Sequence, residues 1–151
     1  MMRAPIPRLP LWLGLAGLLP FLIAVAAAWL APIAWQVLAI RAFLGYGAVI
    51  LSFLGGVQWG VAMCRERPGE APFRARMVLA MVPSLLAWPA LLLHPLTAAW
   101  VLAAGFALVR GHELSREGRA KLPDWYQSLR TLLTLVVLAC HGLLIWRLIG
   151  A

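Results

Sequence analysis

Reactive side chains are sparse in this chain, and one group of them stands close together before the last apolar run. The stretch LPDWYQSLRTLLTL begins at Leu122 and places Asp124, Trp125, Tyr126 and Arg130 within nine residues. An acid, two aromatic rings and a guanidinium so close together suit either an active site or the end of a membrane-spanning helix. The apolar residues that follow decide between these two interpretations.

A structural role accounts for each residue of this stretch. Pro123 suits the first turn of a helix, where its missing N–H removes no hydrogen bond, and Asp124 favours the positive end of the helix dipole. Trp125 and Tyr126 are typical of headgroup depth, and Arg130 can extend to the same level. We therefore interpret Trp125, Tyr126 and Arg130 as the interfacial anchor of the last helix.

The other candidate groups lack the partners that catalysis needs. His94, His112 and His141 fall at three different levels of a membrane protein, so they cannot converge on one metal or easily share a haem. The RGHELSREGR stretch lacks the second histidine of a zinc helix, and neither a Gly-rich phosphate loop nor a nucleophile elbow is present. Cys64 and Cys140 stand too far apart in sequence for a thiol-based metal motif. The sequence predicts no catalytic residue, no cofactor and no metal, hence no enzyme.

Composition identifies the solvent as lipid. Hydrophobic residues make up 64% of the 151 residues and charged residues only 12%, against roughly 25% charged in a soluble domain. A soluble chain of this length cannot bury so much apolar surface. The net charge of +8 comes from short segments between apolar runs, which indicates membrane orientation rather than binding of nucleic acid.

The apolar runs predict an all-α fold, a polytopic transmembrane helix bundle of about five spans in one domain, residues 1–151. A bilayer core about 30 Å thick requires about 20 helical residues per span. The predicted spans are 11–30, 42–64, 77–93, 96–109 and 129–149, with loops 65–76 and 110–128. The fourth run is short, so it either gains length from a snorkelling Arg110 or forms a re-entrant hairpin with the third. A cleaved secretory signal ending at Ala28 is the alternative for the first run.

Basic residues predict the orientation. The N-terminal tail has two basic residues, Arg3 and Arg8, the loop 65–76 has four and residues 110–130 have five. The opposite side has two, Arg41 and Arg147. Positive charge stays on the cytoplasmic side when loops are short. We expect a multi-pass protein of the bacterial inner membrane with a cytoplasmic N-terminus and a periplasmic C-terminus.

The second span carries small residues at every fourth position. Ala48, Ser52, Gly56 and Gly60 predict a seam along which a neighbouring helix backbone packs closely.

Polar residues at membrane depth are the other candidates for a site, because they are unfavourable in lipid without partners. Counting about 1.5 Å per residue from the cytoplasmic end, Gln58 and Ser84 lie at one depth, and Ser52 and His141 at another. We expect a Gln58–Ser84 pair and a Ser52–His141 pair, and this candidate polar cluster could instead line a ligand cleft.

Two motifs carry a family resemblance. With YGAVILSFLGGVQWG in the second span and LPDWYQSLRTLLT before the fifth, the chain resembles the domain of unknown function 3429 family. That family comprises uncharacterised bacterial inner-membrane proteins and is similar to a mitochondrial transmembrane protein of animals. The resemblance implies an inner-membrane location and no particular reaction.

Two functions fit these features. The favoured hypothesis is a non-catalytic accessory or assembly partner of a membrane complex, whose partners are the lipid bilayer and other membrane proteins. The alternative is a binder or transporter of a small molecule, lipid or quinone, with a cleft between the second, third and fifth spans. The sequence identifies neither the ligand nor the oligomeric state.

Overall fold

A computed structural model describes residues 5–151, apart from the side chains of residues 116–118. Arg3 and the Glu117 side chain lie outside that part. The described backbone forms seven helices and no strand, so the prediction of an all-α fold is confirmed. The helices are α1 Arg8–Leu30, α2 Ile33–Arg65, α3 Ala71–Leu79, α4 Val82–Ala90, α5 Pro95–Leu114, α6 Arg116–Lys121 and α7 Asp124–Ile149.

A tight hairpin joins α1 to α2. Ala31 is extended and Pro32 occupies the N-cap of α2, while the Gln36 side chain donates to the Ala31 carbonyl at 2.9 Å. The second helix therefore begins at Ile33, ahead of the predicted span 42–64. At 33 residues, α2 is about 50 Å long, which exceeds the thickness of a bilayer core.

The predicted third span is two short helices rather than one. α3 ends at Leu79 and α4 begins at Val82, because Pro83 has no N–H to donate to the carbonyl four residues earlier. Pro83 instead stands in the first turn of α4, where a missing donor does no harm. The break separates the part of the chain that carries Arg76 from the part that continues into the bundle.

The helix that corresponds to the fourth predicted span, α5, is longer than that span. α5 has 20 residues, or about 30 Å, against the fourteen of the predicted span 96–109. Its start is capped by His94, whose Nδ1 accepts from the Leu96 N–H at 3.4 Å. The helix also continues past Arg110, which is buried, so the proposed snorkelling of Arg110 is wrong.

Side-chain contacts define how the long helices run. The Trp29 indole donates to the Leu143 carbonyl at 3.2 Å, and Gly14 lies next to Leu129 and Leu133, so α1 and α7 run in the same direction.

Side-chain contacts give the relative direction of α2 and α5 in the same way. Gly47 faces Leu102, and Gly105 faces Leu51, so α2 and α5 are parallel to each other. The α1–α2 hairpin makes this second pair antiparallel to the first.

The small-residue face of α2 is rotated from the predicted seam. The predicted seam runs through Ala48, Ser52, Gly56 and Gly60. A Cβ atom added at Gly56 or Gly60 would meet no atom within 4 Å, so this part of the seam contacts no neighbouring helix within this chain, whereas Ala48 is buried. The close approach falls one residue earlier, at Gly55, where a Cβ would collide with the Ala80 carbonyl. The backbone between α3 and α4 packs against Gly55 because the helix is interrupted there.

The outer surface of the bundle is strongly apolar. Large hydrophobic side chains such as Leu92 (75% exposed), Leu108 (66%) and Leu135 (62%) face outward. Patches of this extent are typical of a surface covered by lipid. Within residues 5–151, three helices, α1, α2 and α7, are long and apolar enough to cross a membrane.

The adjacent pair Gly55 and Gly56 offers a test of this packing. We expect Gly55→Ala to lower the free energy of unfolding by about 1–3 kcal/mol, because the added methyl group overpacks against the backbone at the end of α3. Gly56→Ala has open space and should leave stability unchanged or slightly higher. Thermal unfolding in detergent micelles, followed by circular dichroism, measures both; equal stability of the two variants would contradict this packing.

Candidate functional site: a polar cavity at the basic end of the bundle

Glu113 organises the end of the bundle that carries the basic connections. Its carboxylate is fully buried and accepts from Arg110 Nη1 at 3.1 Å and from Arg130 Nε at 3.0 Å. Two guanidinium groups thus share one carboxylate between α5 and α7. A buried charge is tolerated when it is paired and hydrogen-bonded in this way.

Arg110 extends this network along α7. Its Nη2 donates to the Gln127 carbonyl and to Thr131 Oγ1, and its Nη1 donates to Gln127 Oε1, at 2.7–2.9 Å. The Gln127 amide returns a hydrogen bond to the Glu113 carbonyl at 3.1 Å. These contacts fix α5 against the first turns of α7.

Of the three residues predicted to form the interfacial anchor, Arg130 is buried in the bundle. Arg130 is 6% exposed and bonds to Glu113, so the predicted extension of Arg130 toward headgroups is wrong. Trp125 and Tyr126 are partly exposed, with their rings edge to face at 6.0 Å. Their placement at headgroup depth stays a prediction.

A third buried arginine joins α2 and α3. Arg76 donates from Nε to Glu66 Oε1 at 2.9 Å and from Nη1 to Gln58 Oε1 at 3.0 Å. Gln58 therefore bonds to a charged group from the adjacent helix, and no hydrogen bond joins it to Ser84 in the described structure. The predicted Gln58–Ser84 pair is wrong because the break at Pro83 brings α3 rather than α4 to the Gln58 amide.

His141 occupies the core and not a cleft. Its ring stands among Phe43, Phe106 and Phe21, with centroids 4.8, 5.4 and 5.9 Å away. Its Nδ1 lies 2.8 Å from the Val137 carbonyl, and its Nε2 has no partner. The predicted Ser52–His141 pair is therefore wrong, and the four predicted polar residues do not converge on one site.

A cavity opens next to the Arg76 group, between α2, α3 and the end of α5. It consists of two neighbouring spaces: one of about 640 Å³ beside Glu66, here called the outer part, and one of about 170 Å³ beside Gln58, here called the inner part. Arg76, Leu79 and His112 line both parts. The outer part adds Glu66, Ala71, Pro72, Ala75, Ala120 and Lys121, and the inner part adds Gln58, Val82, Pro83, Leu108 and Val109.

Three residues that line this cavity each have a buried polar atom without a hydrogen-bond partner. These atoms are Gln58 Nε2, Glu66 Oε2 and His112 Nε2. Buried polar groups are normally satisfied, and exceptions at a cavity point to a bound molecule or to water. Val82, Pro83, Leu108 and Val109 give the inner part an apolar side next to Gln58 and Arg76, whereas Glu66 and Lys121 add charges in the outer part, so the lining is amphipathic.

Sequence reasoning identified Gln58 as a site residue and missed Glu66, Arg76, His112 and Lys121. These four stand in segments whose composition is typical of solvated charged loops. A signal was available for Arg76, because the basic segment directly follows the helix that carries the buried Gln58. No signal in the sequence indicated that His112 belongs to the end of α5.

In the described residues, no group of three or more His, Cys, Asp and Glu side chains is placed to hold a metal ion. The polar groups at the basic end instead pair with arginines.

Comparison with known proteins gives the relationship of the chain. The model of a family described as "Protein of unknown function (DUF3429)" matches residues 6–146. The chain belongs to this family. The match extends from before α1 into the last turns of α7, so this DUF3429 protein has both polar networks and the cavity within the family region.

Two curated relatives of this DUF3429 protein are transmembrane proteins of animals. Transmembrane protein 69 of Xenopus tropicalis is 38% identical and that of Mus musculus 32% identical, each over 86% of this chain. The matched parts are 51% and 52% of those proteins, so the chain spans about half their length. No solved structure matches the chain. The relatives and the apolar helices together establish a membrane protein.

The shared carboxylate predicts a large effect of a small change. Glu113→Gln leaves two buried guanidinium groups without a counter-charge, and we expect it to lower the free energy of unfolding by about 3–5 kcal/mol. Glu70→Gln, at an exposed position, is the control and should be neutral.

The measurement is denaturation in mixed micelles, with Arg130→Gln completing a double-mutant cycle. Because the two side chains share one interaction, we expect the double variant to lose less than the sum of the single losses. Additive losses would contradict the geometry described for Glu113.

Proposed function

We propose that this protein is a five-pass protein of the bacterial inner membrane that binds a small amphipathic molecule, without catalysis, at the cytoplasmic end of its bundle. In this arrangement the N-terminus and the basic connections are cytoplasmic and the C-terminus is periplasmic. The observation that carries the binding role is the cavity between α2, α3 and α5, with its unpartnered polar atoms.

The tryptophans support the placement in the bilayer. Tryptophan favours the two membrane–water interfaces, and all eight stand near a helix end. One level contains Trp12, Trp59 and Trp125, and the other contains Trp29, Trp35, Trp88, Trp100 and Trp146. Along α1, α2 and α7 the two levels are separated by about 26, 36 and 32 Å, close to a bilayer core of about 30 Å.

The broken third segment supports a full pass over a re-entrant hairpin. α3 and α4 together run from Ala71 to Ala90, which is about 30 Å at helical rise. The pair lies along α2, since Arg76 bonds to Gln58 and Ala80 contacts Gly55. α5 then returns for about the same length.

Reporter fusions test the orientation. Alkaline phosphatase, active only outside the cytoplasm, should be active when fused after Ala151 and inactive when inserted at Gly69, because positive charge retains the second site inside. Green fluorescent protein should give the reciprocal pattern. Phosphatase activity at Gly69, or fluorescence at Ala151, would overturn the five-pass arrangement.

The shape and lining of the cavity favour an amphipathic ligand over a polar solute. Val82, Pro83 and Leu108 form apolar walls in the inner part, whereas Glu66 and Lys121 stand in the outer part. Ligand sites commonly combine such apolar walls with a few polar groups that fix orientation. The lining contains donors and acceptors held in ion pairs rather than a nucleophile beside a base, which supports binding without chemistry.

An accessory role in a membrane complex is the second candidate. Gly56 and Gly60 leave an open strip on α2, and small residues of this kind let a neighbouring helix approach closely in lipid. The strip would then contact another membrane protein, while the cavity lies on a different face of α2.

Filling the cavity tests the binding role. Ala75→Trp places a large ring in the outer part, and we expect it to reduce the amphipathic adducts that wild-type protein retains by about tenfold, since a filled site excludes its ligand. Ala42→Trp, on an exposed face of α2 away from the cavity, is the matched control.

Native mass spectrometry after extraction in a mild detergent measures the adducts. Equal retention by the wild type and both variants would contradict the binding role. In the same spectra, a stoichiometric protein partner that Gly56→Leu removes would support the accessory role.

A further inference from the structure

We infer that the cavity opens sideways into the bilayer and takes its ligand from the cytoplasmic leaflet, with an acyl chain of a membrane lipid in the inner part. The inference rests on the proposed binding role and adds the source of the ligand and the chemical class of the part that enters. Three features carry it: the side chains that border the opening, the depth of the opening, and the apolar surface behind it.

Three residues border both the inner part of the cavity and the outer surface of the bundle. Leu79, Val82 and Leu108 line the inner part, and they are 51%, 41% and 66% exposed. Leu79 ends α3 and Val82 begins α4, whereas Leu108 belongs to α5. These side chains therefore flank one opening, with the α3–α4 segment on one side and α5 on the other.

The packing of the helices produces this opening. α4 packs against both α2 and α5, whereas α3 packs mainly against α2. The hydrogen bond between Arg76 and Gln58 holds α3 in that position. The α3–α4 segment therefore diverges from α5 toward the basic end of the bundle, and α2 forms the back of the gap.

The contact between α2 and α5 gives the depth of Leu108. Gly105 faces Leu51, so Leu108, further along the parallel helix, is level with about Leu54. Trp59 lies about five residues closer to the cytoplasmic end of α2, which is about 8 Å at helical rise. Since tryptophan favours the membrane–water interface, Leu108 stands on the hydrocarbon side of that interface.

Val82 reaches a similar depth from the other side of the opening. The Ala80 carbonyl lies against Gly55, and Val82 follows it at the start of α4. The hydrocarbon core contains no water, so the medium in front of the opening at this depth is acyl chain. A lipid chain can therefore enter sideways while it stays in the bilayer.

The surface behind the opening is mainly apolar. Pro83 and Val109 continue the wall of the inner part. Gln58 and Arg76 also border this space, but they bond to each other at 3.0 Å and are only 5% and 6% exposed. The volume of about 170 Å³ is below the roughly 300–1,000 Å³ of a site for a whole small ligand. It suits a segment of one hydrocarbon chain.

Entry from the aqueous side is the alternative route. It leads through the outer part, past Glu66 and Lys121. A lipid chain that took this route would expose each of its methylene groups to water, which is unfavourable. Sideways entry requires no such exposure, so the position of the opening favours a ligand that remains dissolved in the membrane.

Photolabelling from the bilayer tests this inference. The full chain is placed in nanodiscs that contain a phosphatidylcholine with a diazirine partway along one acyl chain, and the labelled residues are mapped by mass spectrometry. We expect label on Pro83, which is buried but lines the inner part, and none on Leu54, which is buried in the core at a similar depth. Leu135, 62% exposed on α7, reports the ordinary contact of lipid with the outer surface.

Two variants close the opening from opposite sides. Leu108→Trp and Val82→Trp each place a larger ring across it, and each should reduce the label on Pro83 at least about fivefold, because a filled opening excludes the chain. Leu135→Trp is the matched control at a similarly exposed position and should leave that label unchanged. Either opening variant suffices if the other does not fold.

The outcomes separate the source of the ligand from the binding role. Label on Pro83 no higher than on Leu54, or equal label on Pro83 in the two opening variants and in Leu135→Trp, would overturn entry from the bilayer. If Ala75→Trp still removes the adducts of the wild type in that case, the binding role stands with a ligand from the aqueous side. If Ala75→Trp changes no adduct either, both proposals fail.

Discussion

The buried carboxylate of Glu113 holds the basic end of the bundle together. Two arginines from different helices bond to it, and Arg110 then reaches the first turns of α7 through Gln127 and Thr131. Paired charges can be buried where unpaired charges cannot. The end of α5, and with it His112, is fixed in place by these contacts.

The cavity exists because α3 and α4 do not form one straight helix. Pro83 interrupts the hydrogen-bond ladder, and Gly55 lets the backbone at Ala80 approach α2 closely. α3 is then free to place Arg76 over Gln58. The chain gains an ion pair at the surface of α2, and the space between α3 and the end of α5 stays open. The interruption between α3 and α4 at Pro83 therefore explains both the close packing against Gly55 and the open cavity beside α3.

Sequence reasoning predicted the class of fold correctly and the contacts of the site incorrectly. The apolar runs indicated a helical membrane protein, since length and hydropathy alone decide that question. The pairings failed because depth along a helix does not give the direction in which a side chain points. By residue count Gln58 and Ser84 fall at one depth, but the break at Pro83 brings Arg76 of α3 to Gln58 instead. One residue of helix also turns a side chain by about 100°. The same rotation moved the close contact from Gly56 to Gly55.

By itself, the sequence determined that the chain forms long apolar helices and which connections between them are basic. These properties follow from local composition and from the thickness of a bilayer. Only the tertiary structure decided that Arg110 and Arg130 turn inward to Glu113, that His141 packs among phenylalanines, and that Gln58 meets Arg76. An arginine has the same local sequence whether it faces headgroups or a buried carboxylate. Its direction depends on which helix lies opposite, and that is a property of the packed bundle.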